Sequence, residues 1–201
     1  MKQIGIMGGT FDPPHLGHLM IAEQMRETLN LDQVRFMPNG QILYKEPSRM
    51  ATTKQRLEMV RLAIQGNPAF VVDTTEIDWV GTTYTYQTME LLTQREPNAE
   101  FTFLMGADSL DYMERWKYPE RIFSCCKIAA VLRPGFSNEH MQEKQRELES
   151  RFGARITLVE SPQILLSSTE LRQRLKDGKS VRYLIPEAVD AYIKKHGLYS
   201  G

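Results

Sequence analysis

Short apolar runs alternate with helical stretches along the whole chain. Residues 3–7, 34–37, 70–72, 101–105, 128–132 and 155–159 lack strict apolar–polar alternation, as expected of strands covered on both faces. Between them, residues 16–29, 53–65, 86–95 and 138–151 read as helices. Leu57, Val60 and Ile64 recur at helical spacing, and so do Leu16, Leu19 and Ala22. Two more helices, 168–176 and 186–196, follow; Pro186 suits a first helical position and Gly197 a stop. The repeated β–α units predict an α/β fold: a Rossmann-like, doubly wound parallel sheet of about six strands with right-handed crossovers. A short helical portion, about residues 167–201, follows it. Such sheets bind ligands beyond the C-terminal ends of their strands. Polar or glycine clusters follow the predicted strands at residues 8–18, at Pro38-Asn39-Gly40 with Tyr44-Lys45, and at 106–109, 133–135 and 167–169, and are expected to converge on one rim.

The chain has 201 residues and is read as a single domain, 1–201. Its 25 basic and 25 acidic residues cancel, which removes the electrostatic basis for non-specific binding to nucleic acid. An apolar content of 41% suits a globular rather than a disordered chain. No apolar run reaches membrane-spanning length, and the sequence opens on a strand rather than a signal peptide, so a cytoplasmic protein without a membrane partner is expected. The neighbours Cys125 and Cys126 are poorly placed to bond to each other and read as small core residues within the apolar stretch 123–132.

The densest chemistry lies in Gly8-Gly9-Thr10-Phe11-Asp12-Pro13-Pro14-His15-Leu16-Gly17-His18. A strand, a glycine turn and a helix start in succession aim backbone N–H groups and a helix dipole at one point, where a phosphate can sit. A helical backbone puts His15 and His18 on one side, and Gly17 leaves room between them for a nucleotide to approach the backbone. The chain has no G-x-x-x-x-G-K-[ST] loop, and Gly5, Gly8 and Gly9 have the wrong spacing for G-x-G-x-x-G. Two other readings compete: a helix start with two exposed histidines, and a zinc site. The preceding Gly8–Asp12 run weighs against the first. The second lacks a remaining ligand shell, since the other histidines, His140 and His196, lie in predicted surface helices. A second motif is Leu166-Ser167-Ser168-Thr169-Glu170-Leu171-Arg172, in which Ser168 or Thr169 can cap a helix and Arg172 can grip a phosphate bidentately. By itself it reads as a plain N-cap. Beside the first motif it reads as a second anion-binding helix terminus.

These two stretches resemble the paired H-x-G-H and S-S-T-x-x-R signatures of a nucleotidyltransferase superfamily. Essentially end to end, the chain is similar to the bacterial nicotinate-nucleotide adenylyltransferase family. Residues 106–110, Trp116, Arg133-Pro134-Gly135, 183–186 and Gly197-Leu198-Tyr199 add to the likeness. The resemblance implies transfer of AMP from ATP to nicotinate mononucleotide, giving deamido-NAD and pyrophosphate. The reaction is in-line attack of the substrate phosphate on the ATP α-phosphate, with Mg²⁺ as cofactor and no metal held by the protein. It implies catalytic roles for His15, His18, Lys45 and Arg172. It implies ATP contacts from Gly8, Gly9, Thr10, Phe11, His18, Gly106, Asp108, Ser168, Thr169 and Arg172. Mononucleotide contacts come from Thr10, Lys45, Thr83, Tyr84, Thr85, Trp116 and Arg133. In this scheme His18 meets the α/β region of ATP, and Ser168, Thr169 and Arg172 hold the outer phosphates. Asp108 accepts from the adenosine ribose, and Thr83-Tyr84-Thr85 supports the pyridine carboxylate. Trp116 stacks on the pyridine ring, against its other reading as a half-buried packing residue. By family analogy alone a homodimer is open. The family usually has Pro-Pro-His-Lys where this chain has Ile42-Leu43-Tyr44-Lys45, so Tyr44 is expected to be a neutral packing substitute and Lys45 to carry the charge.

The residue chemistry suits that reaction. The attacking phosphate, with a second pKa near ~6, is already ionised at neutral pH and needs no general base. The reaction needs two polyanions aligned and charge neutralised at the α-phosphate. Two alternatives stay open: an adenylyltransferase of the same superfamily acting on another phosphate ester such as phosphopantetheine, and a module that binds ATP without turnover. Trp116 and the long tail argue against the first, and the intact His15, His18 and Arg172 against the second.

Overall fold

The computed structural model describes residues 1–40, 50–132, 138–160 and 166–200. Its strands are β1 (Lys2–Gly9), β2 (Gln33–Pro38), β3 (Phe70–Val72), β4 (Ala99–Gly106), β5 (Lys127–Leu132) and β6 (Ile156–Glu160). Its helices are α1 (Leu16–Thr28), α2 (Thr53–Ile64), α3 (Thr85–Arg95), α4 (Ala107–Leu110), α5 (Pro119–Cys125), α6 (Asn138–Phe152), α7 (Ser168–Lys176) and α8 (Glu187–His196). The strands form one six-stranded parallel sheet in the order β3-β2-β1-β4-β5-β6. The chain winds outward from β1 to β3 and then returns to lay β4 beside β1, with Met7 opposite Leu104. The expected doubly wound sheet is therefore present, and its topological switch point lies between β1 and β4. That is where open α/β sheets bind ligands, and Gly8-Gly9 and Gly106 end the two strands.

The missing alternation has the expected cause. Residues 4–7 of β1 and 128–131 of β5 are consecutively buried, whereas β6, at the sheet edge, exposes Thr157 and Glu160. Three short helical pieces escape the sequence pattern: α4, a single 3₁₀ turn at Met113–Arg115, and α5. None is long enough to display a period. The buried face of α2 consists of Arg56, Met59, Val60, Ala63 and Ile64, so it is displaced from the expected Leu57, which is only half-buried. Pro186 stands one position outside α8, as its N-cap, rather than at the first helical position. Gly197 is the stop expected, at φ 59°, with its own N–H and that of Leu198 returning to the Ile193 carbonyl. Of the two free cysteines only Cys126 is a core residue, its thiol pushed up to about 12 by burial; Cys125 is half-exposed at the end of α5.

The chain forms two compact units, one from residues 1–8, 21–35 and 83–163, the other from 9–20, 36–82 and 164–201. In the first, Ile4, Ile6, Phe101, Leu104, Ile128 and Val131 of the sheet are buried, as are Met89, Leu92, Ile122 and Leu148 of its helices. In the second, Met59 and Ala63 of α2 join Leu171 of α7 and Val181, Ile185, Val189 and Ile193 in one cluster. The C-terminal helical portion thus shares a core with α2. No helix among the described residues is long and apolar enough to cross a membrane.

Candidate active site

Apart from Gly8, the first motif lies in the second unit. Phe11, at φ 50°, is almost fully buried and packs its ring on Phe36 (5.8 Å between centroids) and edge-on to His18 (5.1 Å). Only its backbone is left for a ligand. Helix α1 opens at Leu16, so His15 stands directly before it and His18 lies in its first turn. The two imidazoles stack at 3.6 Å with planes 26° apart. The His15 N–H donates to His18 Nδ1 at 3.1 Å. Nδ1 is taken up as an acceptor, so Nε2 is the nitrogen from which His18 can donate. His15 is 6% exposed and His18 half-buried, so the pair is not the two exposed histidines of the competing reading.

Gly17 has a different task from the one expected. A Cβ there would sit 3.0 Å from His15 Nδ1 and 3.1 Å from its Cε1, so the space is taken by the His15 ring and not left for a nucleotide. Substituting Gly17→Ala is expected to tilt His15 off His18 and lower kcat about tenfold with little change in thermal midpoint, measured by steady-state kinetics beside a melting curve.

Arg56 was missed in the sequence. Its guanidinium, 2% exposed, donates from Nη1 to the Thr10 carbonyl (2.9 Å) and from Nη2 to the carbonyls of Asn39 (2.7 Å) and Gly40 (3.2 Å). It fastens the turn after β1 to the turn after β2. Burial pushes its pKa below the ordinary arginine value, and the carboxylate of Asp12 opposes that shift. Beside it, a Cβ on Gly40 would fall 2.1 Å from the Glu76 carbonyl oxygen, so only glycine fits. The one signal available was a charged residue at the phase of Met59, Val60 and Ala63 on a helix read only for its apolar spacing.

The second motif packs on the first. Ser167, not Ser168 or Thr169, caps α7: its Oγ accepts the Glu170 N–H at 3.1 Å. Ser168 instead donates its hydroxyl proton to the Pro13 carbonyl (2.8 Å). Arg172 donates from Nη1 to the Asp12 carbonyl (2.7 Å), with the same nitrogen 3.7 Å from Asp12 Oδ2, and from Nη2 to Thr169 Oγ1 (3.2 Å). Stretches 155 and 160 residues apart are thereby brought together. Thr169, Arg172, Gln173 and Lys176 face a cavity of about 530 Å³, closed on another side by Ala51 and Tyr199.

The first unit holds the other expected residues. Gly8 closes its part of β1, and Gly106 is the N-cap of α4, with Asp108 exposed in the first turn. Trp116 is half-buried, its indole and the Phe103 ring meeting in a T-shaped contact at 6.1 Å between centroids. The charged run before it is anchored. Asp111 pairs with His140 (2.6 Å) and Glu114 with Lys144 (2.9 Å). Burial, the largest single influence, would raise the Glu114 carboxyl, but the Lys144 hydrogen bond, a backbone hydrogen bond and the charges of Lys144 and Arg115 together hold the group below its ordinary value. Thr83 and Thr85 are half-buried; Thr85 opens α3, and the Tyr84 N–H donates to Gln87 Oε1 (3.2 Å). Lys117 Nζ lies 4.1 Å from the centre of the Tyr84 ring, which makes this helix start electropositive. Lys45, Tyr44 and Arg133 lie outside the described residues. Among the described residues no group of three or more His, Cys, Asp or Glu could hold a metal ion.

A doubly wound sheet with a histidine-bearing turn locked to a second helix start is the architecture of a nucleotidyltransferase. Residues 6–174 match the model of the cytidylyltransferase-like family. A probable nicotinate-nucleotide adenylyltransferase of Lachnoclostridium phytofermentans is 41% identical over 199 residues, covering 99% of this chain and 100% of its own. Its counterpart in Lactiplantibacillus plantarum is 38% identical over 198 residues, 98% of this chain and 88% of that one. The solved structure of Plasmodium falciparum nicotinic acid mononucleotide adenylyltransferase complexed with NaAD shares the fold, with a TM-score of 0.81 at 21% identity over 99% and 98% of the two chains. The chain belongs to the cytidylyltransferase-like family and, within it, to the nicotinate-nucleotide adenylyltransferases.

Proposed function

We propose that the protein transfers AMP from ATP to the phosphate of nicotinate mononucleotide, forming deamido-NAD and releasing pyrophosphate. The observation that carries this reading is the lock between the two motifs, Ser168 on Pro13 and Arg172 on Asp12, in a chain similar throughout its length to nicotinate-nucleotide adenylyltransferases.

The mononucleotide phosphate, already ionised, attacks the α-phosphate in line, and the pyrophosphate leaves. His18, with His15 stacked on it, offers its Nε2–H to the α-phosphate oxygen where negative charge grows. Arg172 and the first-turn amides of Ser168 and Thr169 hold the outer phosphates. The Ser168 hydroxyl is already engaged as a donor to the Pro13 carbonyl, so its amide is the donor that remains. Mg²⁺ arrives on the ATP phosphates as part of the substrate and supplies further charge neutralisation. Gly8, Gly9, Thr10 and Gly106 keep the ATP contacts, and Asp108 the ribose contact, that the resemblance gives them. Trp116 stacks on the pyridine. First-turn amides of α3, with Lys117 nearby, favour a carboxylate over an amide whose NH₂ would meet donors. Lys45 and Arg133 keep the roles that the resemblance gives them. This reading treats residues 1–201 as one nucleotidyltransferase domain working in the cytoplasm, where the free thiols of Cys125 and Cys126 stay reduced.

Pyrophosphate release from MgATP, measured with nicotinate mononucleotide, its amide and phosphopantetheine in turn, tests the proposal. The acid is expected to give the highest kcat/KM, about tenfold or more above the amide. A preference for phosphopantetheine, or ATP binding with no acceptor-dependent release, would overturn it.

A further inference from the structure

We propose that Tyr199, just beyond α8, is a positioning residue for Arg172 and acts through the carboxylate of Asp12. After the left-handed Gly197, Tyr199 itself adopts φ 63°, a conformation that costs a residue with a side chain and persists only where its surroundings enforce it. The bend brings its hydroxyl to Asp12 Oδ1, to which it donates at 2.5 Å. The same oxygen accepts the Ala51 N–H at 3.1 Å.

With Oδ1 held from two sides, the carboxylate cannot rotate. Its other oxygen, Oδ2, has no hydrogen bond among the described residues and stands 3.7 Å from Arg172 Nη1. Asp12 is 1% exposed, so this charge is not dispersed into solvent; it acts on Arg56 as well as on the Arg172 guanidinium, whose Nη1 stands 3.7 Å from Oδ2 and also donates to the Asp12 carbonyl. The phenol is a lasting donor: burial, and then the carboxylate beside it, push its pKa far above the ordinary tyrosine value. Tyr199 and Arg172 line the same 530 Å³ cavity. A long side chain fixed before ATP arrives need not be ordered on binding, so the bracket lowers the cost of gripping the phosphates.

The inference rests on the reading of Arg172 as a grip on the outer phosphates of ATP. Tyr199→Phe keeps the ring in its packing and removes only the donor. We expect the KM for ATP to rise about five- to tenfold while the KM for the mononucleotide stays put; the thermal midpoint falls as the buried carboxylate loses a donor, in either background. In an Arg172→Ala background the same substitution should add nothing to the KM for ATP, because the group being positioned is gone. Equal effects on the KM for ATP in both backgrounds, or a shifted midpoint with both KM values unchanged, would make Tyr199 a structural anchor and overturn the proposal. A raised KM for ATP in Arg172→Ala with normal kinetics in Tyr199→Phe overturns the positioning role alone. An unchanged KM for ATP in Arg172→Ala overturns the phosphate reading and the inference with it.

Discussion

Replacing His18 with alanine is expected to lower kcat about 10²–10³-fold, with KM for the mononucleotide within about twofold of its original value. The magnitude follows from what the side chain is. Its Nδ1 is engaged by the His15 N–H, so in the proposed reaction Nε2 is the donor the imidazole offers to ATP, aimed before the reaction begins. Such a donor acts where charge develops and contributes little to ground-state binding, which is why the loss should fall on kcat. Steady-state kinetics on a variant with native circular dichroism decides the matter. Near-normal turnover would remove His18 from the chemistry.

The second large effect is on stability. Arg56→Met keeps most of the buried volume but strips partners from the carbonyls of Thr10, Asn39 and Gly40 at once. The expected cost is about 3–5 kcal/mol, the range for breaking a buried charged network by removing one member. Urea unfolding should show the midpoint falling with the slope unchanged. A loss below about 1 kcal/mol would mean that those carbonyls find other donors. Arg56→Lys should recover only part of the loss, because a single ammonium cannot fan across oxygens from two turns.

The elements legible in the sequence were those whose burial repeats. Four consecutive buried residues in β1 and in β5 mark the interior of a parallel sheet, and α7 could be placed from its hydroxyl-rich start and Arg172. What stayed hidden depends on contacts between distant residues. Ser167, Ser168 and Thr169 have similar capping chemistry, and only the Pro13 carbonyl decides which hydroxyl turns away from the helix. Arg56 sits among apolar neighbours with nothing local to reveal that its partners are backbone oxygens of two other turns. Gly17 reads in the sequence as room for a nucleotide, whereas the constraint on it, the His15 ring folded back over it, is tertiary. The short α4 and α5 lack the length to display a period.

The bonds from Asp12 to Arg172 and to Tyr199 span 160 and 187 residues, so the second unit is dominated by pairings remote in sequence. Such topologies fold slowly, because each pairing must first close a long loop. During synthesis the histidine turn emerges early, yet the arginine and tyrosine that complete its surroundings are made much later. On the ribosome the nascent chain can build its first strands before Arg172 and Tyr199 exist to close around Asp12, so this corner of the fold is completed only once both have been made.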